Sequence, residues 1–119
     1  MRIAVLALLL AALPWRAIAA PISPAQALEH IGAVMTVEGV ASVTTPSTGT
    51  VTFVEISTPG NGVTLQGVIY AGDHDKFADI ASYNGKTVQL TGPVQTFKGE
   101  LRIYLRSPDQ LKLTQPPKP

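Results

Sequence analysis

The stretch Ala33-Val34-Met35-Thr36-Val37-Glu38-Gly39-Val40-Ala41-Ser42-Val43-Thr44 alternates with a period of two. Ala33, Met35, Val37, Gly39, Ala41 and Val43 share one face, and Thr36, Glu38, Ser42 and Thr44 share the other, as in a long half-buried strand. Gly39 in its middle permits the sharp coil or bulge that a small closed barrel requires.

Upstream, Ser23-Pro24-Ala25-Gln26 places a hydroxyl before proline and an amide three residues after the hydroxyl, a capping-box pattern. It predicts a helix from Pro24 to Ile31, with Leu28 and Ile31 on one face and Gly32 as its left-handed stop, and this helix is expected to plug one end of the domain. Before it, Arg2, the apolar run Ile3 to Leu13, Pro14 and the small residues of Ala17-Ile18-Ala19 read as an export signal cleaved after Ala19. Eleven apolar residues are too few to span a bilayer, which needs about 20. The expected product is periplasmic or secreted. No Cys occurs in the chain, so neither a disulfide nor a thiolate ligand is available and stability must come from packing.

Downstream, Thr45 to Gly49 reads as a turn and Thr50 to Ser57 as a second strand, with a bulge where its apolar phase shifts between Phe53 and Ile56. Val63, Leu65, Gly67 and Ile69 alternate in a third strand after the turn Pro59-Gly60-Asn61-Gly62. Phe77, Ile80 and Ala81 predict a short amphipathic helix within Asp73 to Ala81. A fourth strand from Val88 is interrupted at Gly92-Pro93 and continues over Val94 to Phe97, and Phe97-Lys98-Gly99-Glu100 turns the chain into a fifth, where Leu101, Ile103 and Leu105 alternate with Arg102, Tyr104 and Arg106. Leu111 and Leu113 add a short closing strand, and Gln115 to Pro119 is expected to be a disordered tail.

Three strands, a helix and two more strands is the order of a five-stranded OB-fold Greek-key barrel, here predicted over residues 33–114 after an N-terminal helix segment at 20–32 and a signal peptide at 1–19. The run Tyr83-Asn84-Gly85-Lys86-Thr87-Val88-Gln89-Leu90-Thr91-Gly92, then Phe97-Lys98-Gly99 and Ser107-Pro108-Asp109-Gln110-Leu111, resembles the end of nucleic-acid-binding-type OB domains. The chain also resembles exported bacterial OB-fold proteins, for which nucleic acid is not the expected ligand.

Charge locates the candidate surface. Without Arg2 and Arg16 the chain keeps seven bases against eight acids, a net of −1, so the precursor's slight positive charge is no sign of a polyanion binder. Residues 20–84 carry a net of −5 and residues 85–119 a net of +4. Lys98, Arg102 and Arg106 therefore form the candidate ligand-binding set with Tyr104 and Phe97 as stacking platforms, and with Lys86 as a further base in their neighbourhood. The competing reading is a solvated strand face whose charges protect an edge. The outward faces of strands two and three are expected to show mainly Thr52, Thr64 and Gln66 rather than aromatics.

Asp73-His74-Asp75 offers three metal-ligating residue types, but adjacent side chains diverge, and Asp73 or Asp75 as a helix N-cap is the simpler reading. His30 reads as a helix-surface residue near the helix's C-terminal end. No His-Glu metal motif, nucleophile elbow or phosphate-cradling loop is present, so no catalytic residue, metal or cofactor is expected. The expectation is an exported, non-enzymatic binding module for an acidic ligand, with single-stranded nucleic acid implied by the resemblance. The alternative is a periplasmic protein-interaction or envelope-stress module with no nucleic-acid role.

Overall fold

The computed structural model describes residues 20–45 and 51–114, so the signal-peptide, Thr45 to Gly49 turn and tail expectations fall wholly or largely outside the described residues. In chain order the elements are α1 (Pro24–Ala27), β1 (Val34–Thr44), β2 (Val51–Ser57), β3 (Thr64–Tyr70), two 3-10 helices (Ala71–Phe77 and Ile80–Tyr83), β4 (Thr87–Pro93), β5 (Gln95–Phe97), β6 (Glu100–Tyr104), a third 3-10 helix (Pro108–Gln110) and β7 (Leu111–Leu113).

β1 is long because it serves two partners. Val34 to Val40 pair antiparallel with Pro93 to Thr87 of β4, and Val40 to Thr44 pair antiparallel with Ser57 to Phe53 of β2. The change of partner falls at Gly39 and Val40. A Cβ on Gly39 would lie 2.9 Å from both the backbone nitrogen and oxygen of Ser57, so only glycine lets β2 end across β1 there.

The sheet runs β5-β6-β3-β2-β1-β4-β7, antiparallel throughout except for the parallel pair β3 and β6. β4 and β5 are joined through Val94 alone although they stand far apart in that order, so the sheet must curl into a barrel-like form. The sheet has seven strand segments, and pairing does not close it, so β5 and β7 remain as short margins. The interruption comes at Val94, whose N–H donates to the Ala33 carbonyl (2.9 Å) and whose carbonyl accepts from the Gly32 N–H (2.7 Å). The N-terminal segment thus takes the place of a sheet partner.

The same pairing explains why α1 stops at Ala27 rather than Ile31. Ser23 and Gln26 form the expected capping box, yet only Pro24 and Ala27 are buried, and Leu28 and Ile31 remain 51% and 52% exposed. A single helical turn is weakly stable by itself, and the hydrogen bonds to Val94 and of Ile22 to Thr36 and Glu38 recruit the flanking chain instead. His30 accordingly lies in the turns after α1, its N–H donating to the Ala27 carbonyl (2.9 Å). The link between β3 and β4 is likewise two 3-10 helices rather than one amphipathic helix. Phe77 and Ile80 are buried but Ala81 is exposed, so apolar contact is made every third residue and suits the tighter turn.

β2 carries no bulge. Its pairing with β3 is continuous from Val51 with Tyr70 to Ser57 with Thr64, and Thr52, Val54 and Ile56 all face inward. The apparent phase shift arose from the apolar character of Phe53. That ring points outward, while Thr52 is 1% exposed and its hydroxyl lies 3.2 Å from that of Thr45.

Inside the curl, Val37, Val54, Ile56, Leu65, Ile69, Val88, Leu90, Leu101, Ile103 and Leu105 form one apolar cluster with Ala27, Phe77 and Leu111. Full burial of each large aliphatic side chain contributes roughly 1.5–3 kcal/mol, which supplies stability in a chain without disulfides. Among the described residues no helix is long and apolar enough to cross a membrane.

Candidate ligand-binding face

With Leu101, Ile103 and Leu105 directed inward, alternation directs Arg102 and Tyr104 to the outside of β6. The register then decides which residues they meet. Tyr104 is aligned with Val68 of β3, and Val68 with Phe53 of β2. One step along, Arg102 is aligned with Gln66, Gln66 with Glu55, and Arg102 also with Gln95 of β5.

Val68 reveals how this face is packed. It is 1% exposed yet stands outside the interior cluster, because alternation places it on the outer face between Phe53 and Tyr104. Tyr70, two residues further along the same face, stacks on Tyr104 with ring centroids 5.7 Å apart and planes inclined by 15°. The outside of β2, β3 and β6 thus carries its own small aromatic layer.

Arg102 is the central charge of that layer. Its guanidinium carbon lies 4.3 Å from the centroid of the Phe97 ring and 5.8 Å from that of Phe53, within the range of cation–π attraction. Its Nε donates to the Gln66 side-chain oxygen at 3.2 Å. Phe97 is held at this position by the hairpin, in which Lys98 (φ 52°) and Gly99 (φ 84°) both adopt left-handed backbone between the paired residues Phe97 and Glu100. Two central residues of positive φ match the twist of paired strands, and glycine at the second removes its steric cost. The Lys98 ammonium lies 5.3 Å from the Phe97 centroid.

Arg106 follows the end of β6 and lines a shallow groove of about 330 Å³ with Pro93, Gln95, Tyr104 and Gln110. Gln110 fixes this wall: its side-chain oxygen accepts from the backbone N–H groups of Arg106 (2.7 Å) and Ser107 (3.0 Å), and its amide donates to the carbonyls of Thr91 (3.0 Å) and Tyr104 (2.9 Å). Tyr104 and Gln95 belong to both groove and aromatic layer, so the two are continuous.

All five residues expected from sequence, Phe97, Lys98, Arg102, Tyr104 and Arg106, therefore lie on or beside one surface. Lys86 does not join them, since it precedes β4, whose partners are β1 and β7. Phe53 and Tyr70 are additions that the sequence reading missed, and Gln66 acquires a role through Arg102. The expectation that strands two and three lack outward aromatics is corrected, because Thr52 and Phe53 face opposite to their expected sides. The period-two run of Thr52, Val54 and Ile56 was the available signal.

Asp73 and Asp75 are not helix N-caps: the 3-10 helix begins at Ala71 after Tyr70, and Asp73 instead pairs with Lys76 at 2.9 Å. Among the described residues no group of three or more His, Cys, Asp or Glu is arranged to hold a metal ion. Neither a family model nor a curated protein matches the chain. A solved structure described as OBody AM1L10 bound to hen egg-white lysozyme is similar, with a TM-score of 0.60 and 22% identity over 80% of this chain and 93% of that chain. This likeness places the chain among mainly β, barrel-like folds.

Proposed function

We propose that the chain is an exported OB-fold binding module, non-enzymatic, that takes an acidic ligand such as single-stranded nucleic acid on this face. In this reading β4 and β5 together are the fourth strand of the five-stranded barrel and β6 the fifth. The observation that carries the proposal is the outward aromatic layer on β2, β3 and β6, Phe53, Tyr70 and Tyr104, with Arg102, Lys98 and Arg106 beside it. Aromatic faces accept bases without regard to sequence, and nearby cations meet the backbone.

Fluorescence anisotropy of a labelled oligothymidylate titrated with the purified protein tests this. Binding is expected at low salt, and three phosphate contacts give a slope of log K against log salt of about −2, a loss of roughly twentyfold between 50 and 200 mM. Absence of binding at low salt removes the proposal.

A second reading, a periplasmic protein-interaction or envelope-stress module, draws support from the composition of the face. Tyr, Phe and Arg gathered around a buried aliphatic residue also characterise protein-binding hot spots. The net charge of −1 after removal of the signal and the similarity to an OBody bound to lysozyme agree with it. A partner captured from periplasmic extract by the native protein, but not by an Arg102→Ala variant, would favour this reading.

A further inference from the structure

Arg102 is half-buried, and among the described residues it forms no ion pair, although Glu100 stands two residues before it on β6 and Glu55 of β2 is aligned with Gln66. A partly desolvated guanidinium without a carboxylate is costly unless its donors and faces are otherwise occupied. Its guanidinium carbon lies over the rings of Phe97 and Phe53, and Gln66 takes the Nε hydrogen. None of the described hydrogen bonds uses its Nη hydrogens.

We propose that Arg102 is a preorganised fork for one phosphodiester of a single-stranded nucleic acid, with Gln66 as its positioning residue. Packing against Phe97 and the bond to Gln66 restrain the guanidinium, so its Nη groups are the part left for an incoming oxyanion. Such groups suit two parallel N–H···O bonds to a phosphate, which a lysine ammonium cannot reproduce. Phosphate is favoured over an isolated carboxylate by what lies next to the fork. Tyr104 is two residues further along the same face of β6, a separation of about 7 Å, and its stack with Tyr70 offers a platform at the distance a nucleotide's base stands from its phosphate.

This inference rests on the nucleic-acid reading above, and the experiment separates their failures. Oligothymidylate and polyglutamate of matched length are titrated against the native protein and the Arg102→Lys, Arg102→Gln, Gln66→Leu and Gln66→Glu variants, with thermal melting as the check on folding. Arg102→Lys is expected to bind oligothymidylate about tenfold or more weakly with an unchanged salt slope, because charge survives and the fork is lost. Arg102→Gln is expected to weaken binding further and to flatten the slope by about 0.7, the value of one single-strand phosphate contact. Gln66→Leu is expected to cost about threefold through lost positioning, and Gln66→Glu more, because the new carboxylate competes for the guanidinium.

Oligothymidylate binding that changes less than twofold in Arg102→Lys overturns the fork and leaves the nucleic-acid reading standing. Polyglutamate binding with the same dependence on Arg102 overturns the assignment of phosphate. No oligothymidylate binding by the native protein removes both.

Discussion

Gly39→Val is expected to lower the free energy of unfolding by about 3 kcal/mol or more, the upper part of the range for steric insertion into a packed site. The new Cβ would meet Ser57 backbone atoms at 2.9 Å and the Ile56 Cβ at 3.1 Å. A flexible side chain could move aside, but Ser57 is paired to Val40 of β1 and to Thr64 of β3, so relief requires breaking a ladder. Replacing glycine also restricts the unfolded chain, a stabilising effect of only about 0.4–1 kcal/mol that leaves the balance unfavourable. Urea unfolding with an unchanged slope and a lowered midpoint is the expected result. A midpoint equal to that of the native protein would show that β1 does not change partners at Gly39.

Ile103→Ala is expected to cost about 2–5 kcal/mol, the range for truncating a buried aliphatic side chain, and to lower the melting temperature by roughly 4–8 °C for each kcal/mol. Ile103 is fully buried, and a Cβ on Gly92 would stand 2.8 Å from its Cγ2. That close approach gives the prediction a second arm. Gly92→Ala alone should destabilise by overpacking, but its cost should be smaller when Ile103 is already alanine, because the added methyl then enters the vacated space. Calorimetry of the native protein, both single variants and the double variant measures the coupling. Strict additivity would mean that β4 and β6 do not pack across the interior as described. The consequence reaches the outer face, since Ile103 lies between Arg102 and Tyr104 and its burial holds both outward.

The parts of this fold legible in sequence are those written in local alternation. Leu101, Ile103 and Leu105 are so regularly spaced that the outward position of Arg102 and Tyr104 followed at once, and Val37, Gly39 and Ala41 oriented β1 in the same way. Alternation misled where residue type opposed position. Thr52 is polar but buried and Phe53 aromatic but outward, so β2 looked bulged when it is regular.

Tertiary pairing accounts for the other differences. The sequence around Leu28 and Ile31 is compatible with a longer helix, but the hydrogen bonds of Gly32 and Ala33 are made with Val94, the break between β4 and β5, which is distant in the chain. The candidate site was legible as a list of residues and not as an arrangement. The parallel alignment of β6 with β3 brings Tyr104 to Tyr70 and Arg102 to Gln66, and no local pattern in either segment encodes that register.

The central claim is that the outside of β2, β3 and β6 is where the ligand binds. Backbone amide chemical-shift mapping during titration with oligothymidylate at low salt tests it most directly. Perturbations are expected at Phe53, Gln66, Tyr70, Phe97, Arg102 and Tyr104, extending to Arg106 along the groove. Perturbations confined to the separate pocket lined by Asp75, Lys76, Phe77, Asp79 and Tyr83, or none at any residue, would contradict it.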